Sequence, residues 1–198
     1  MNTLAEQIEA LATALPEGES LSAKALLHLG TREAVDQALS RLVKRKKLIR
    51  AARGLYVCPV TSRFGTRPPA AAKVVEALAS QTGEAIVASG AAAANALGLT
   101  TQVPVKEVYL TSGRGRTLKL GKHQVELRHA PAWQTVLPQS KAGQVVRALT
   151  WLGKLGAPSA VSMLQQKLAP TEIQELLGLR RQLPSWMAQE ISRMAPRG

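Results

Sequence analysis

One cysteine, three histidines and only thirteen acidic residues occur in the 198-residue chain. The single thiol, Cys58, excludes an intrachain disulfide and, with no ligand partners near it in sequence, a thiolate metal cluster. His123 and His129 share a face of one expected strand, while Glu126 points the other way and no Cys or carboxylate completes a ligand set. They and His28 are read as ordinary histidines, and no metal is expected. The sparse acids form no close pair on a common face suited to general acid and base work, so neither an enzyme nor a cofactor is expected. Long apolar runs are missing too: Arg, Lys, Glu or Pro interrupts each before the roughly 20 residues that a bilayer requires. Met1–Leu15 carries Glu6 and Glu9 and no basic region ahead of a small-residue cleavage site, which excludes a signal peptide and points to the reducing cytoplasm.

What is abundant is positive charge. Twenty-six Lys and Arg give a net charge of +13 and a pI near 10.6, which favours polyanionic partners, nucleic acid first and an acidic protein surface second. A hydrophobic share of 45% is enough to bury a core in one large or two small domains. The charge is most concentrated between Arg41 and Arg53, where Arg41, Lys44, Arg45, Lys46, Lys47, Arg50 and Arg53 occur without one Asp or Glu. In residues 1–58 the acids all precede Gln37 and the bases mostly follow it, so this part of the chain is polarised.

Periodicity gives that cluster a scaffold. Leu4, Ile8, Leu11 and Leu15 recur at helical spacing and predict a helix over residues 3–14, closed by Pro16 and Gly18. Leu21, Ala25, Leu26 and Leu29 predict a shorter second helix with Ser22 as N-cap and Gly30 as a left-handed C-cap. Thr31 caps a third, whose apolar stripe is Ala34, Val35, Ala38, Leu39, Leu42 and Val43. Leu48-Ile49-Arg50 and Gly54-Leu55-Tyr56-Val57, joined by Ala51-Ala52-Arg53, then read as a β-hairpin. Three helices followed by such a hairpin make a winged helix-turn-helix, in which the third helix enters the major groove and the wing rides on the backbone. Gln37 and Arg41 would then reach base edges, while Lys44, Lys47, Arg50 and Arg53 would hold phosphates.

Pro59, Gly65, Pro68 and Pro69 mark residues 59–69 as a linker. Beyond it a helix is expected over residues 70–82, a buried strand at Ala85-Ile86-Val87-Ala88, and an Ala-rich helix Gly90–Leu97 capped by Ser89 and stopped by Gly98. Alternation over Val105–Thr111, Thr117–Leu120 and Gln124–His129 predicts a three-stranded antiparallel meander with Trp133 and Val136 as its cover. The turn Ser112–Arg116 lacks the spacing of a phosphate loop, and Arg114, Arg116, Lys119 and Lys122 are candidate contacts for a partner or nucleic acid. Helices are expected near residues 143–153, 159–168, 170–178 and 185–194, cut by Pro158, Pro170 and Pro184. The chain is thus expected to be α+β: a winged helix-turn-helix domain over 1–58, the linker, and over 70–198 a mixed domain with a small antiparallel sheet and C-terminal helices.

Three stretches carry a family resemblance: Leu39-Ser40-Arg41-Leu42 through Leu48-Ile49-Arg50, the strand Arg53-Gly54-Leu55-Tyr56-Val57-Cys58-Pro59, and above all the run from Ala88-Ser89-Gly90 through Asn95-Ala96-Leu97-Gly98 to Gln102-Val103-Pro104. With Val108-Tyr109-Leu110-Thr111 and Leu127-Arg128-His129-Ala130, they make most of residues 1–135 resemble AbiEi antitoxins of type IV toxin–antitoxin systems, in particular the short group. That resemblance implies an abortive-infection, phage-defence antitoxin. Its winged helix would bind inverted repeats in its own promoter as a transcriptional autorepressor. Its second domain would oppose a nucleotidyltransferase-like toxin without need of a stable complex. It carries the DNA contacts onto Arg32, Gln37, Arg41, Lys44 and Arg45 of the third helix and Arg50 and Arg53 of the wing. The alternatives are a protein-interaction module and an RNA-binding accessory factor without specific DNA binding.

Overall fold

A computed structural model describes residues 3–195; Met1, Asn2 and residues 196–198, the extreme ends of the two expected domains, lie outside the described residues. The fold is mixed, with α-helices and small antiparallel pairings in two compact units. The first unit runs to Glu84 and takes back Arg116–Glu126; the second holds Ala85–Gly115 and the chain from Leu127 onward. The first unit therefore extends well past residue 58, the end expected for it, because the connector and the next helix fold with it.

In the first unit helix α1, Leu4–Ala14, opens on a capping box: Thr3 Oγ1 accepts from Glu6 N, and Glu6 Oε2 accepts from Thr3 N at 2.8 Å. Strand β1, Ser20–Ser22, and a single 3-10 turn, Lys24–Leu26, replace the expected second helix. Ser22 still caps that turn by accepting from Ala25 N, but Gly30 does not adopt the left-handed conformation expected of it. Helix α2, Arg32–Lys44, begins at the Thr31 cap and buries Val35, Ala38, Leu39 and Leu42 against Ile8, Leu26, Leu48 and Tyr56. Burial of each such aliphatic side chain stabilises by about 1.5–3 kcal/mol, which outweighs the propensity of any single residue on the helix.

Strands β2, Ile49–Ala52, and β3, Leu55–Val57, form the expected hairpin around Arg53-Gly54, with a shift of register between Arg50 and Ala52. Strand β1 adds to the other edge of β3, Ser20 opposite Val57, and gives the order β1-β3-β2. The expected linker is instead a second antiparallel hairpin, β4, Val60–Ser62, with β5, Gly65–Arg67. Helix α3, Ala71–Thr82, follows and buries Val74, Val75 and Leu78.

The second unit begins with β6, Ile86–Ala88, and α4, Gly90–Ala96, whose cap Ser89 accepts from Ala92 N. Strands β7, Glu107–Thr111, β8, Arg116–Leu120, which belongs to the first unit, and β9, His123–His129, whose residues are divided between the units, all form, but the order β6-β7-β9-β8 is not a meander. Strand β9 lies beside β7 and leaves β8 at an edge, so Ser112–Gly115 is a connection between non-adjacent strands rather than a hairpin turn. Trp133 and Val136 pack against the helical core of this unit. Helix α5, Lys141–Lys167, is interrupted at Gly153 and not at Pro158. Gly153 adopts φ 69° and ψ −177°, a region open essentially to glycine alone. Pro158, shortly after the restart, removes one backbone donor without ending the helix. Pro170 stands at the first position of α6, Pro170–Gly178, and Pro184 precedes α7, Ser185–Ser192. Among the described residues no helix is long and apolar enough to cross a membrane.

Candidate nucleic-acid interface

The outward face of α2 follows from its inward one. With Val35, Ala38, Leu39 and Leu42 committed to the core, helical geometry turns Arg32, Gln37, Arg41 and Lys44 outward, and all four are exposed. Arg41 and Lys44 lie in the last turn, where the helix dipole favours cations. The chain then reverses through Lys46, held at φ 60°, while Lys47 N and Leu48 N both donate to Leu42 O (2.9 and 3.3 Å). This reversal ties β2 to the end of α2 and brings Arg45, Lys47 and the outward-facing Arg50 into one basic border. Arg53, exposed in the hairpin turn, continues it.

Not every member of the expected set is available to a ligand. Arg32 Nε donates to Asp36 Oδ2 at 2.9 Å along its own helix, and Lys47 Nζ pairs with Glu9 Oε1 at 2.8 Å. The Glu9 carboxylate raises the Lys47 ammonium above its ordinary value. Among the described residues Gln37, Arg41, Lys44, Arg45, Arg50 and Arg53 make no side-chain hydrogen bond or ion pair. Each of these five cations is exposed.

A groove of about 1160 Å³ within the first unit joins this border to Arg67 and Lys119, and Glu9 and Glu17 are the acids that line it. Glu17 is the better engaged: it accepts from Lys73 Nζ at 2.7 Å, Arg67 Nη1 at 3.0 Å and Ala70 N at 3.1 Å. These partners, Lys73 first, hold its carboxyl at about 2 instead of 4.5. Its contribution is therefore complete above pH 4.5 and disappears as pH falls toward 2. Glu17→Gln is expected to lower Tm at pH 7 and to close that gap by pH 2; a gap independent of pH in paired thermal melts would remove Glu17 as an acid-sensitive tie. No sequence signal marks this network, because Glu17 and Lys73 are distant along the chain and meet only in the fold.

Hairpin β4–β5 was hidden for a different reason, since its strands are short and bordered by Pro59, Pro68 and Pro69. Its tip exposes Arg63 and Phe64, the guanidinium 4.7 Å from the ring centroid. The residues expected to form another contact are divided between the two units. Arg116 Nη1 is paired with Glu84 Oε2 at 3.0 Å, Lys119 and Lys122 are exposed on β8 and its turn, and Arg114 belongs to the other unit. His123 and His129 are both exposed, and His129 Nδ1 donates to Gly113 O at 2.8 Å. Among the described residues no group of three or more His, Cys, Asp or Glu could hold a metal ion. Cys58 lines the groove, and burial raises its thiol above the ordinary value, so it is a poor nucleophile at neutral pH.

Comparison with known proteins adds a family and a fold. Residues 7–177 match DUF6088, described as a family of unknown function. No curated protein matches the chain. In three dimensions it is similar to the RV2827C protein from Mycobacterium tuberculosis, with a TM-score of 0.55 and 14% identity over 98% of this chain and 76% of that one. At that identity the likeness is one of fold.

Proposed function

We propose that this chain, which belongs to the DUF6088 family of unknown function, binds double-stranded DNA through α2 and the β2–β3 hairpin. The observation that carries the reading is the set of five exposed, unpartnered cations, Arg41, Lys44, Arg45, Arg50 and Arg53, on one helix end and the hairpin that follows it. The order α1, β1, 3-10 turn, α2, β2, β3 supports it, because a winged helix runs helix, strand, short helix, helix, hairpin. On this reading Gln37 and Arg41 face base edges and Lys44, Arg45, Arg50 and Arg53 hold phosphates. Arg32 and Lys47 contribute less than sequence alone implied, since each would first have to give up its carboxylate.

The AbiEi resemblance makes the DNA the protein's own promoter and the protein a cytoplasmic autorepressor. It also makes the chain the antitoxin of a nucleotidyltransferase-like toxin, with the second unit as the neutralising part. Anisotropy titration against its own upstream duplex and a scrambled one, at two salt concentrations, tests the first statement. A preference above about 10³ supports a specific repressor, whereas equal and steeply salt-dependent binding reduces the basic border to a general polyanion surface. Growth rescue on co-expression with a neighbouring toxin gene tests the second, and Arg41→Ala should leave that rescue intact.

A further inference from the structure

The hairpin β4–β5 gives the first unit a second projection, distinct from the basic border. Val60 pairs with Arg67 at its base and Ser62 with Gly65 at its end, which leaves Arg63 and Phe64 as a two-residue turn. The turn is held from within: Ser62 Oγ accepts from Phe64 N and donates to Gly65 O, both at 3.3 Å, and Gly65 takes a positive φ of 111° that favours glycine. The base is held from outside, since Arg67 Nη1 donates to Glu17 Oε1 at 3.0 Å. Phe64 is the chain's one phenylalanine and is 85% exposed, so it adds nothing to the core. A lone exposed apolar side chain is ordinary on a protein surface. This one differs in its company: the Arg63 guanidinium lies 4.7 Å from the ring centroid and makes no hydrogen bond or ion pair among the described residues. The strands below carry the exposed Thr61 and Thr66 and line the same groove as Arg45, Lys46 and Arg50 of the basic border.

We infer that the β4–β5 tip is a minor-groove wedge: while α2 occupies the major groove, Arg63 enters the adjacent minor groove and Phe64 inserts between two base pairs, bending the duplex. The inference rests on the DNA-binding reading of α2 and the β2–β3 hairpin. Arg45 and Arg50, which on that reading hold phosphates, grip a strand with the major groove on one side and the minor groove on the other, so a neighbouring element off the recognition helix meets the minor groove. The reach suffices: three residues per strand rise about 10 Å, against a minor groove roughly 7.5 Å deep. The chemistry suits the place as well. The minor groove concentrates negative potential that attracts an arginine, and an apolar side chain inserted at a base step is a recurrent means by which minor-groove proteins kink DNA. The ring supplies stacking while the cation against its face remains free to meet phosphates. One ring among Thr61, Ser62, Gly65 and Thr66 is too small an apolar patch to hold a protein partner, whose footprint is about 800 Å² a side.

The test reads affinity and bending separately, with the full chain and a duplex of its own upstream region carrying a donor and an acceptor fluorophore at its two ends. Wild type is expected to bind and to raise energy transfer as the ends approach. Phe64→Ala should bind about tenfold more weakly and leave the bound duplex straight, with an unchanged Tm because the side chain is exposed. Arg45→Ala should do the reverse, weakening binding while the duplex that is bound stays bent. Phe64→Trp should bend the duplex as wild type does and add fluorescence that is quenched on binding, separable from the background because Trp133, Trp151 and Trp186 all lie in the second unit. A straight duplex bound by wild type, wild-type bending by Phe64→Ala, or an unquenched Phe64→Trp overturns the inference, leaves the α2 reading standing and returns the tip to a protein or lipid partner. Failure of wild type to bind duplex at all removes the DNA-binding reading and this inference with it.

Discussion

The combined variant Arg45→Ala, Arg50→Ala and Arg53→Ala is expected to bind promoter duplex about 10²–10³-fold more weakly near 0.1 M salt, with a salt slope shallower by about three. Both figures have one source. Each phosphate neutralised by a protein cation releases counterions and contributes about 0.9 to the slope of log K against log salt, so three lost contacts remove nearly three decades at 0.1 M. The arithmetic applies to these three because they are exposed and make no ion pair within the protein. Lys47→Ala should change much less, because its ammonium is already 2.8 Å from Glu9 and contributes little net charge to a ligand. Arg41→Ala should act differently again and relax the preference among sequences by about 1–3 kcal/mol at one position. A triple variant with wild-type affinity and slope would move the DNA contact away from the β2–β3 hairpin altogether.

Where the chain's own local chemistry decides a feature, the sequence was readable. Thr31 and Ser89 cap the helices they were expected to cap, and the apolar stripe of α2 is the buried one. The exposed cations around Arg45 and Arg50 follow from the same stripe, because positions off it have nowhere to go but solvent. Features that depend on pairing between distant segments were not readable. Strand β1 has only three residues, too few for alternation to mark it, and it exists because β3 offers it an open edge. The position of β9 beside β7 is likewise set by which edges remain to be paired and not by the turn residues, which point equally well to a meander. Arg147 illustrates the limit most plainly, since nothing in a one-dimensional reading separates a buried arginine from the other Lys and Arg of a basic chain. The helix break fell at Gly153 and not Pro158 because a proline near a helix start loses only one bond, whereas a left-handed glycine redirects the backbone itself.

Gly90→Ala is expected to destabilise the protein, although glycine-to-alanine inside a helix ordinarily stabilises by up to about 1 kcal/mol. The first turn of α4 lies directly on α5. A methyl group at Gly90 would stand 2.5 Å from the carbonyl oxygen of Arg147 and 2.7 Å from Trp151 Cβ, atoms that no side-chain rotation can move aside. Relief requires α4 to shift off α5, and overpacking of this kind costs typically 1–3 kcal/mol, so the clash exceeds the propensity gain. A net loss of about 1–2 kcal/mol lowers Tm by roughly 2–8 °C in a chain of this size. Gly178→Ala supplies the opposite sign in the same unit: Gly178 closes α6 with helical φ of −63° and has nothing within 4 Å of an added methyl. It should therefore gain a few tenths to about 1 kcal/mol by restricting the unfolded chain. Thermal melts of the two variants side by side separate packing from propensity. Equal shifts would mean that α4 does not approach α5 closely.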